Sequence, residues 1–184
     1  MKQPGVKERI IETASRLFYF NGYNQTGINQ IIEEAHVAKA SMYVHFRSKE
    51  DIAVAYLQQR HVHWMDRITT HVAKHRTGKA RVIGCFDFLH IWLKEMGFRG
   101  CGWQNIITDL PDDHKKIKTQ AILHKNQVRQ WLQELLEEQY AKKQASKLGD
   151  EVMVLLEGAI ILAQIHKNVW PVISAKSACK NLLA

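Results

Sequence analysis

The sequence predicts an all-α protein of about nine helices. Apolar residues recur three and four positions apart through most of its 184 residues, which is the spacing of one helix face. No stretch alternates apolar and polar residues as a strand would. Near the N-terminus, only His36 and Val37 separate helical patterns over 28–35 and 38–45. So short a link forces a sharp crossing between two helices. We therefore expect an N-terminal three-helix helix-turn-helix domain followed by a larger helical domain.

Two further helices flank this pair. The first is predicted over 4–21 and ends at Asn21–Gly22, because glycine tolerates the left-handed conformation that follows a helix. The fourth is predicted over 49–75, with Ser48 as its N-cap and Asp51 at its third position, as in a capping box. Its unusual length suits a connector between two domains.

The rest of the chain continues the helical pattern. Helices are predicted over 79–96, 103–110, 112–140, 150–166 and 172–183. The glycine-rich stretch 97–102 lacks the spacing and the lysine of a phosphate-binding loop, so it predicts a bend. The polar region 137–147 predicts a break between helices, with a turn near Gly149.

The helix over 150–166 carries two apolar stripes instead of one. They consist of Val152, Leu155, Ala159 and Leu162, and of Met153, Leu156, Ile160 and Ala163. A surface helix needs a single stripe. We expect the second stripe to pack against another copy of the chain; the alternative is a central helix buried within a monomer.

The helix over 38–45 has a distinctive outer surface. Met42 is expected to point inward, together with Val37 and Phe46 outside the helix ends. The residues left outside are Lys39, Ser41, Tyr43 and His45, and no acidic residue lies between Ala35 and Arg47. Small, basic and hydrogen-bonding side chains suit a helix that lies in the major groove of DNA.

These residues resemble the DNA-binding signature of the TetR family of bacterial transcriptional regulators. The family's order is present as Gly22-Tyr23, Thr26, Ile31-Ile32-x-x-Ala35, Val37-Ala38-Lys39-Ala40-Ser41-Met42-Tyr43 and His45-Phe46-x-Ser48-Lys49-Glu50. The match covers about the first third of the chain. Two positions differ. His36 replaces the usual glycine, so the turn carries a side chain at a position where φ > 0 is expected, and Ala38 replaces a common serine N-cap.

The resemblance implies a DNA-binding domain over 1–47 and a ligand-binding and dimerisation domain over 48–184, with the helix 48–75 as connector. The expected DNA-binding residues are Thr26, Ala38, Lys39, Ala40, Ser41, Tyr43, His45 and Lys49. We expect Lys39 at guanine, Ala40 at a thymine methyl group and the remainder mostly at phosphates. The partners implied are a double-stranded operator with two-fold symmetry and a second subunit, bound through helices 150–166 and 172–183.

The resemblance also implies control by an unidentified small-molecule effector, most often one that releases a repressor. The candidate ligand-binding residues are Trp64, Phe86, Phe88, His90, Trp92, Trp103, Asn105, His124 and Trp131. Aromatic residues at helical spacing are alternatively core. The other function considered is a constitutive or redox-responsive DNA-binding regulator without a small-molecule inducer. Its sensor would be Cys101, which a glycine-flanked turn is expected to expose.

The composition and the motifs limit the remaining classes of function. The net charge of +8 and the pI of about 9.4 favour a polyanionic partner. The polar residues Met1 to Gln3 and the absence of a long apolar run favour a cytoplasmic protein without a membrane span. His71 and His75 share a helix face, but no third ligand is apparent, so neither a metal nor a cofactor is expected. No catalytic motif is present, and we do not expect an enzyme.

Overall fold

The computed structural model describes residues 4–108, 110 and 114–184. Within them the chain is helical and contains no strand, as the sequence predicts. The helices are α1 (Val6–Phe20), α2 (Ile28–Glu34), α3 (Lys39–His45), α4 (Lys49–Val72), α5 (Gly78–Glu95), α6 (Gly102–Ile107), α7 (Lys115–Glu137), α8 (Lys142–His166) and α9 (Trp170–Leu182). Met1–Gln3, Pro111 and the predicted start of the seventh helix at Asp112 lie outside the described residues.

The chain forms two compact units. The first comprises the described residues up to His63 together with those of Gly102–Ile122, and the second comprises Trp64–Cys101 and Leu123–Ala184. Helices α4 and α7 each contribute to both units. This division concerns compactness alone, and the functional boundary at residues 47 and 48 stays a prediction.

In the first unit, α1 packs against both α2 and α3. Ile10 and Leu17 of α1, Ile31 of α2 and Met42 of α3 are buried, with exposed fractions of 1% or less. One apolar side chain from the middle of each short helix therefore anchors it to α1. Burying such a side chain contributes roughly 1.5–3 kcal/mol, which offsets the poor intrinsic stability of seven-residue helices.

The link between α2 and α3 has the local geometry that the sequence predicts. His36 has a φ of 51°, in the left-handed region that the family's usual glycine adopts freely. Ala38 is the N-cap of α3 and has no side-chain hydrogen bond there. By contrast, Oγ of Ser48 accepts the N–H of Asp51 at 3.1 Å and caps the first turn of α4, as expected.

In the second unit, α8 differs from its predicted extent. It begins at Lys142 and not near residue 150, and Gly149 lies inside the helix instead of in a turn. A Cβ at Gly149 would lie 2.6 Å from Cγ of Gln133. The glycine therefore allows a close contact between α7 and α8. A prediction made only from neighbouring residues in the sequence takes such a glycine for a turn residue.

The stretch 97–102 is a bend, as predicted. Gly97, Phe98 and Gly100 all have positive φ. Nζ of Lys167 donates a hydrogen bond to the carbonyl oxygen of Phe98 at 3.2 Å, and a Cβ at Gly100 would collide with the side chain of Gln164. The bend is therefore packed against the C-terminal end of α8.

Within the described chain, no helix is both long enough and apolar enough to cross a membrane.

Candidate functional site

The outer surface of α3 is open to solvent. Lys39, Ala40, Tyr43 and His45 are exposed, Ser41 is half-buried, and the N-cap Ala38 is exposed. The α3 sequence contains no acidic residue, and Arg47 adds a further exposed positive charge beside it. One side of α3 packs against α1 and α2. The opposite side presents hydrogen-bond donors and positive charge to solvent.

Thr26 and Lys49 are placed differently. Thr26 is fully buried, and its hydroxyl donates a hydrogen bond to the carbonyl oxygen of Gly22 at 2.8 Å. The ammonium group of Lys49 donates to the carbonyl oxygens of Tyr23 at 3.0 Å and Thr26 at 3.1 Å. It also lies 4.1 Å from the centre of the Tyr23 ring. Burial lowers the pKa of Lys49. Both side chains hold the turn before α2.

Val44 is an outward residue that the sequence analysis omitted. Its side chain is 80% exposed, although it is apolar and lies in the middle of the candidate interface. The position of Val44 on a helical wheel, opposite Met42, is the signal that would have identified it.

Three of the predicted ligand-binding residues form one aromatic cluster in the second unit. The ring of Trp64 meets that of Phe88 edge-on at 5.8 Å and that of His124 at 5.5 Å between centroids. Phe88 and His124 are buried, whereas Trp64 is half-buried. The cluster therefore has a partly accessible edge at Trp64.

An open groove of about 390 Å³ lies beside this cluster, between α4 and α5. It is lined by Asp66, Arg67, Thr70, His71, Phe88, Ile91 and Glu95. Arg67 lies over the Phe88 ring, 5.7 Å from its centre, and forms an ion pair of 2.5 Å with Glu95. Nε2 of His71 is buried and has no hydrogen-bond partner among the described residues. Burial lowers the pKa of His71, so its ring favours the neutral form.

The other predicted ligand-binding residues do not line this groove. Phe86 and Trp92 are buried in the core of the second unit, and His90 and Trp131 are half-buried. Trp103 and Asn105 belong to the first unit. Of the nine candidates, only Phe88 lines the groove.

Cys101 is buried, with 4% of its surface exposed, so the expectation that its turn exposes it is wrong. Nζ of Lys125 lies 3.4 Å from its Sγ and 2.6 Å from both carboxylate oxygens of Glu157. Burial lowers the pKa of Lys125, but Cys101 and Glu157 outweigh this effect and raise the pKa above its usual value. The sulfur therefore faces an ammonium group that remains charged.

No group of three or more His, Cys, Asp or Glu side chains is arranged to hold a metal ion in the described part of the chain. His71 lies in the last turn of α4, whereas His75 lies beyond the end of this helix at Val72, so the two do not share a helix face as the sequence predicts.

A short, exposed, acid-free helix that follows a second short helix through a four-residue link is the recognition element of helix-turn-helix DNA-binding proteins. The family model described as bacterial regulatory proteins, tetR family, matches residues 10–56. A second family model, described as transcriptional regulator LmrA/YxaF-like, C-terminal domain, matches residues 80–178. This range is more than half of the chain. The chain belongs to the TetR family of bacterial transcriptional regulators, which are DNA-binding proteins and not enzymes.

Relatives align with nearly the whole chain, and a solved structure shares its fold. The HTH-type transcriptional regulator LmrA of Bacillus subtilis is 26% identical over 194 aligned positions, which cover 96% of each chain. The uncharacterized regulator YxaF of the same organism is 24% identical and covers 91% of this chain and 89% of its own. The crystal structure of a TetR-family regulator from Streptomyces coelicolor has the same fold. Its TM-score is 0.86 at 24% identity, covering 98% of this chain and 90% of that one.

Proposed function

We propose that this regulator is a repressor that binds a palindromic operator as a homodimer and is released by a small molecule. The observation that carries the proposal is the surface of α3. Lys39, Tyr43 and His45 are exposed there, on a helix that the buried Met42 fixes to α1. Because its partner is double-stranded DNA, we also propose that this regulator works in the bacterial cytoplasm.

On this proposal, some residues of α3 contact base edges and others contact phosphates. Lys39 can donate to O6 and N7 of guanine, and Ser41 to a base edge or a phosphate. Tyr43 and His45 contact phosphates, which set the register of the helix on DNA. The exposed N-cap Ala38 lies beside the phosphate backbone. For Thr26 and Lys49, the internal hydrogen bonds favour a positioning role over direct phosphate contact.

The proposed dimer uses α8 and α9, corresponding to the predicted helices 150–166 and 172–183. Large apolar side chains remain exposed on these two helices: Val154, Leu162, Ile165, Trp170 and Ile173. Val154 and Ile165 are 72% and 66% exposed. A contiguous interface between two copies would remove these side chains from water, and a two-fold dimer matches a two-fold operator.

The proposed effector site is the groove between α4 and α5 together with the edge of Trp64. Its volume falls within the range of small-molecule sites, and its mostly polar and charged lining surrounds the apolar side chains of Phe88 and Ile91. Residues 1–47 would form the DNA-binding domain and 48–184 the effector and dimer domain. Because α4 follows the DNA-binding domain directly in the chain and also lines the groove, a ligand that prefers one position of α4 would shift the spacing of the two recognition helices.

Selection of binding sites from random duplex DNA at a stated salt concentration tests the proposal. We expect a palindrome, and we expect Lys39→Ala and Tyr43→Ala to weaken binding to it by about tenfold or more. Lys94→Ala, which removes an exposed charge from α5, is the matched control and should leave the affinity unchanged. A selection without a motif, or a Lys39→Ala protein that binds like the unmodified protein, would overturn it.

The contact between Lys125 and Cys101 favours a second candidate, a redox-responsive regulator. An ammonium group lies 3.4 Å from the sulfur, and peroxides oxidise cysteine sulfur. Treatment with hydrogen peroxide should then lower operator affinity in the unmodified protein and leave that of Cys101→Ser unchanged. Equal responses of the two proteins would exclude Cys101 as the sensor.

A further inference from the structure

Val44 is exposed without a structural reason. At 80%, it is the most exposed large apolar side chain among the described residues, and it lies on α3 between Tyr43 and His45. A β-branched residue also favours a helix less than most alternatives do. Neither the packing nor the stability of α3 therefore explains why valine occupies this position.

Helix geometry places Val44 at the outermost line of α3. Successive residues turn by about 100°, so Ala40 and Val44 lie about 160° and 200° around the helix from Met42. Met42 is fully buried. Ala40 and Val44 thus form an apolar ridge directly opposite the core. Lys39 and Tyr43 lie on one flank of this ridge, and Ser41 and His45 lie on the other.

The side of a recognition helix that faces away from the core of its own domain is the side that can enter the major groove. The base edges there present hydrogen-bond donors and acceptors, except at thymine, whose C5-methyl group is apolar. An apolar side chain pressed against a donor or an acceptor would remove it from water without a partner, which costs about 1–3 kcal/mol. The apolar ridge is therefore complementary to thymine methyl groups and is unfavourable against other edges.

We propose that Val44 is a specificity-determining residue that contacts a thymine methyl group in each operator half-site, next to the contact of Ala40. This inference rests on the proposed function, because it requires an operator. The two side chains are about 6 Å apart along the helix axis. The thymines that they contact should therefore lie about two base-pair steps apart.

Single-atom changes in the DNA test this inference. Each thymine of the selected operator is replaced in turn, symmetrically in both half-sites, by deoxyuridine, which keeps every hydrogen-bonding group and lacks only the methyl group. Loss of one buried methyl contact should weaken binding about fourfold, and loss at both half-sites about 15-fold. Val44→Ala should weaken binding to the thymine-containing operator to a similar extent. Replacement of the contacted thymine by deoxyuridine should not weaken the binding of this variant further.

Two controls separate this contact from a general defect. Lys39→Ala should bind more weakly but keep the full response to deoxyuridine, because its contact is to a different group. Thermal unfolding of Val44→Ala without DNA should occur at a temperature no lower than that of the unmodified protein, since the side chain is exposed and alanine favours a helix more than valine does.

The outcomes are distinct. If selection recovers no palindrome, the proposed function fails and this inference fails with it. If a palindrome is recovered but Val44→Ala binds it normally, or still responds to deoxyuridine at every position, only the role of Val44 is overturned.

Discussion

The guanidinium group of Arg9 donates a hydrogen bond to the backbone carbonyl oxygen of His36 at 3.1 Å. Arg9 lies in the first turns of α1, whereas His36 lies in the link between α2 and α3, 27 residues later. The bond satisfies a carbonyl group in a link whose φ of 51° is unfavourable for a residue with a side chain. Arg9 therefore helps to hold the link that sets the angle of the recognition helix.

Replacement of His36 by glycine should stabilise the protein. The left-handed conformation costs a non-glycine residue about 1–2 kcal/mol, whereas the greater freedom of glycine in the unfolded chain offsets about 0.4–1 kcal/mol of that gain. We expect a net increase of about 0.5–1 kcal/mol in the free energy of unfolding, measured by urea denaturation. His36→Ala keeps the unfavourable φ and serves as control. A lower urea midpoint for His36→Gly than for His36→Ala would contradict this account.

The missing N-cap of α3 gives a second prediction. Ala38 has the extended backbone of an N-cap, with φ −70° and ψ 143°, but no oxygen to accept the first free N–H groups. Ala38→Thr supplies that oxygen, and Ala38→Val has nearly the same shape without it. The threonine variant should be more stable than the valine variant by about 1 kcal/mol. In thermal unfolding, this corresponds to a Tm about 2–4 °C higher. Equal Tm values would show that α3 is not limited by its cap.

The features of α3 were predictable from the sequence because they are local. The strain at His36, the uncapped Ala38 and the cap at Ser48 each depend on one residue and its immediate neighbours along the chain. The buried Met42 and the exposed Lys39 follow from a period of 3.6 residues. Local rules therefore gave the shape of the recognition element, although not the outward Val44.

The features that the sequence analysis missed depend on residues far apart in the chain. Gly149 resembled a turn residue, yet it serves a contact with Gln133 on another helix. The glycines beside Cys101 suggested exposure, yet Cys101 is buried and faces Lys125. The groove between α4 and α5 is lined largely by polar residues, which a search for aromatic side chains passes over.

Lys49 gives a test that separates a positioning role from phosphate contact. Lys49→Met keeps the length of the side chain and removes its two hydrogen bonds to the carbonyl oxygens of Tyr23 and Thr26. Hydrogen bonds from a charged donor contribute more than neutral ones, although partial exposure weakens them, so we expect a loss of about 2 kcal/mol in urea denaturation.

The matched control is Lys39→Met, since Lys39 is exposed and has no such role. It should retain full stability while losing operator affinity. The dependence of operator affinity on salt adds a second readout, because one lost phosphate contact reduces the slope of log K against log salt by about one. If Lys49→Met retains full stability and shows this reduced slope, Lys49 contacts phosphate and does not act through the turn.

The neutral His71 in the groove predicts a loss of stability in acid. Burial is the largest cause that lowers its pKa below the ordinary value of 6.5, with a smaller contribution from Lys74 and a weak opposing one from Asp87. As the pH falls through about 6.5, the unfolded chain binds a proton at this residue before the folded chain does. The contribution of His71 to stability is therefore present above this pH and is lost below it.

His71→Gln cannot titrate and should make the protein less sensitive to acid. The measurement is the free energy of unfolding in urea at pH 7.5 and at pH 5.5 for both proteins. Other groups that titrate in this window, including His61, whose pKa burial also lowers, contribute to both proteins and cancel in the comparison. We expect the decrease between the two pH values to be smaller for His71→Gln. Parallel decreases would mean that His71 gains a proton as readily in the folded protein as in the unfolded chain, so that burial would not lower its pKa.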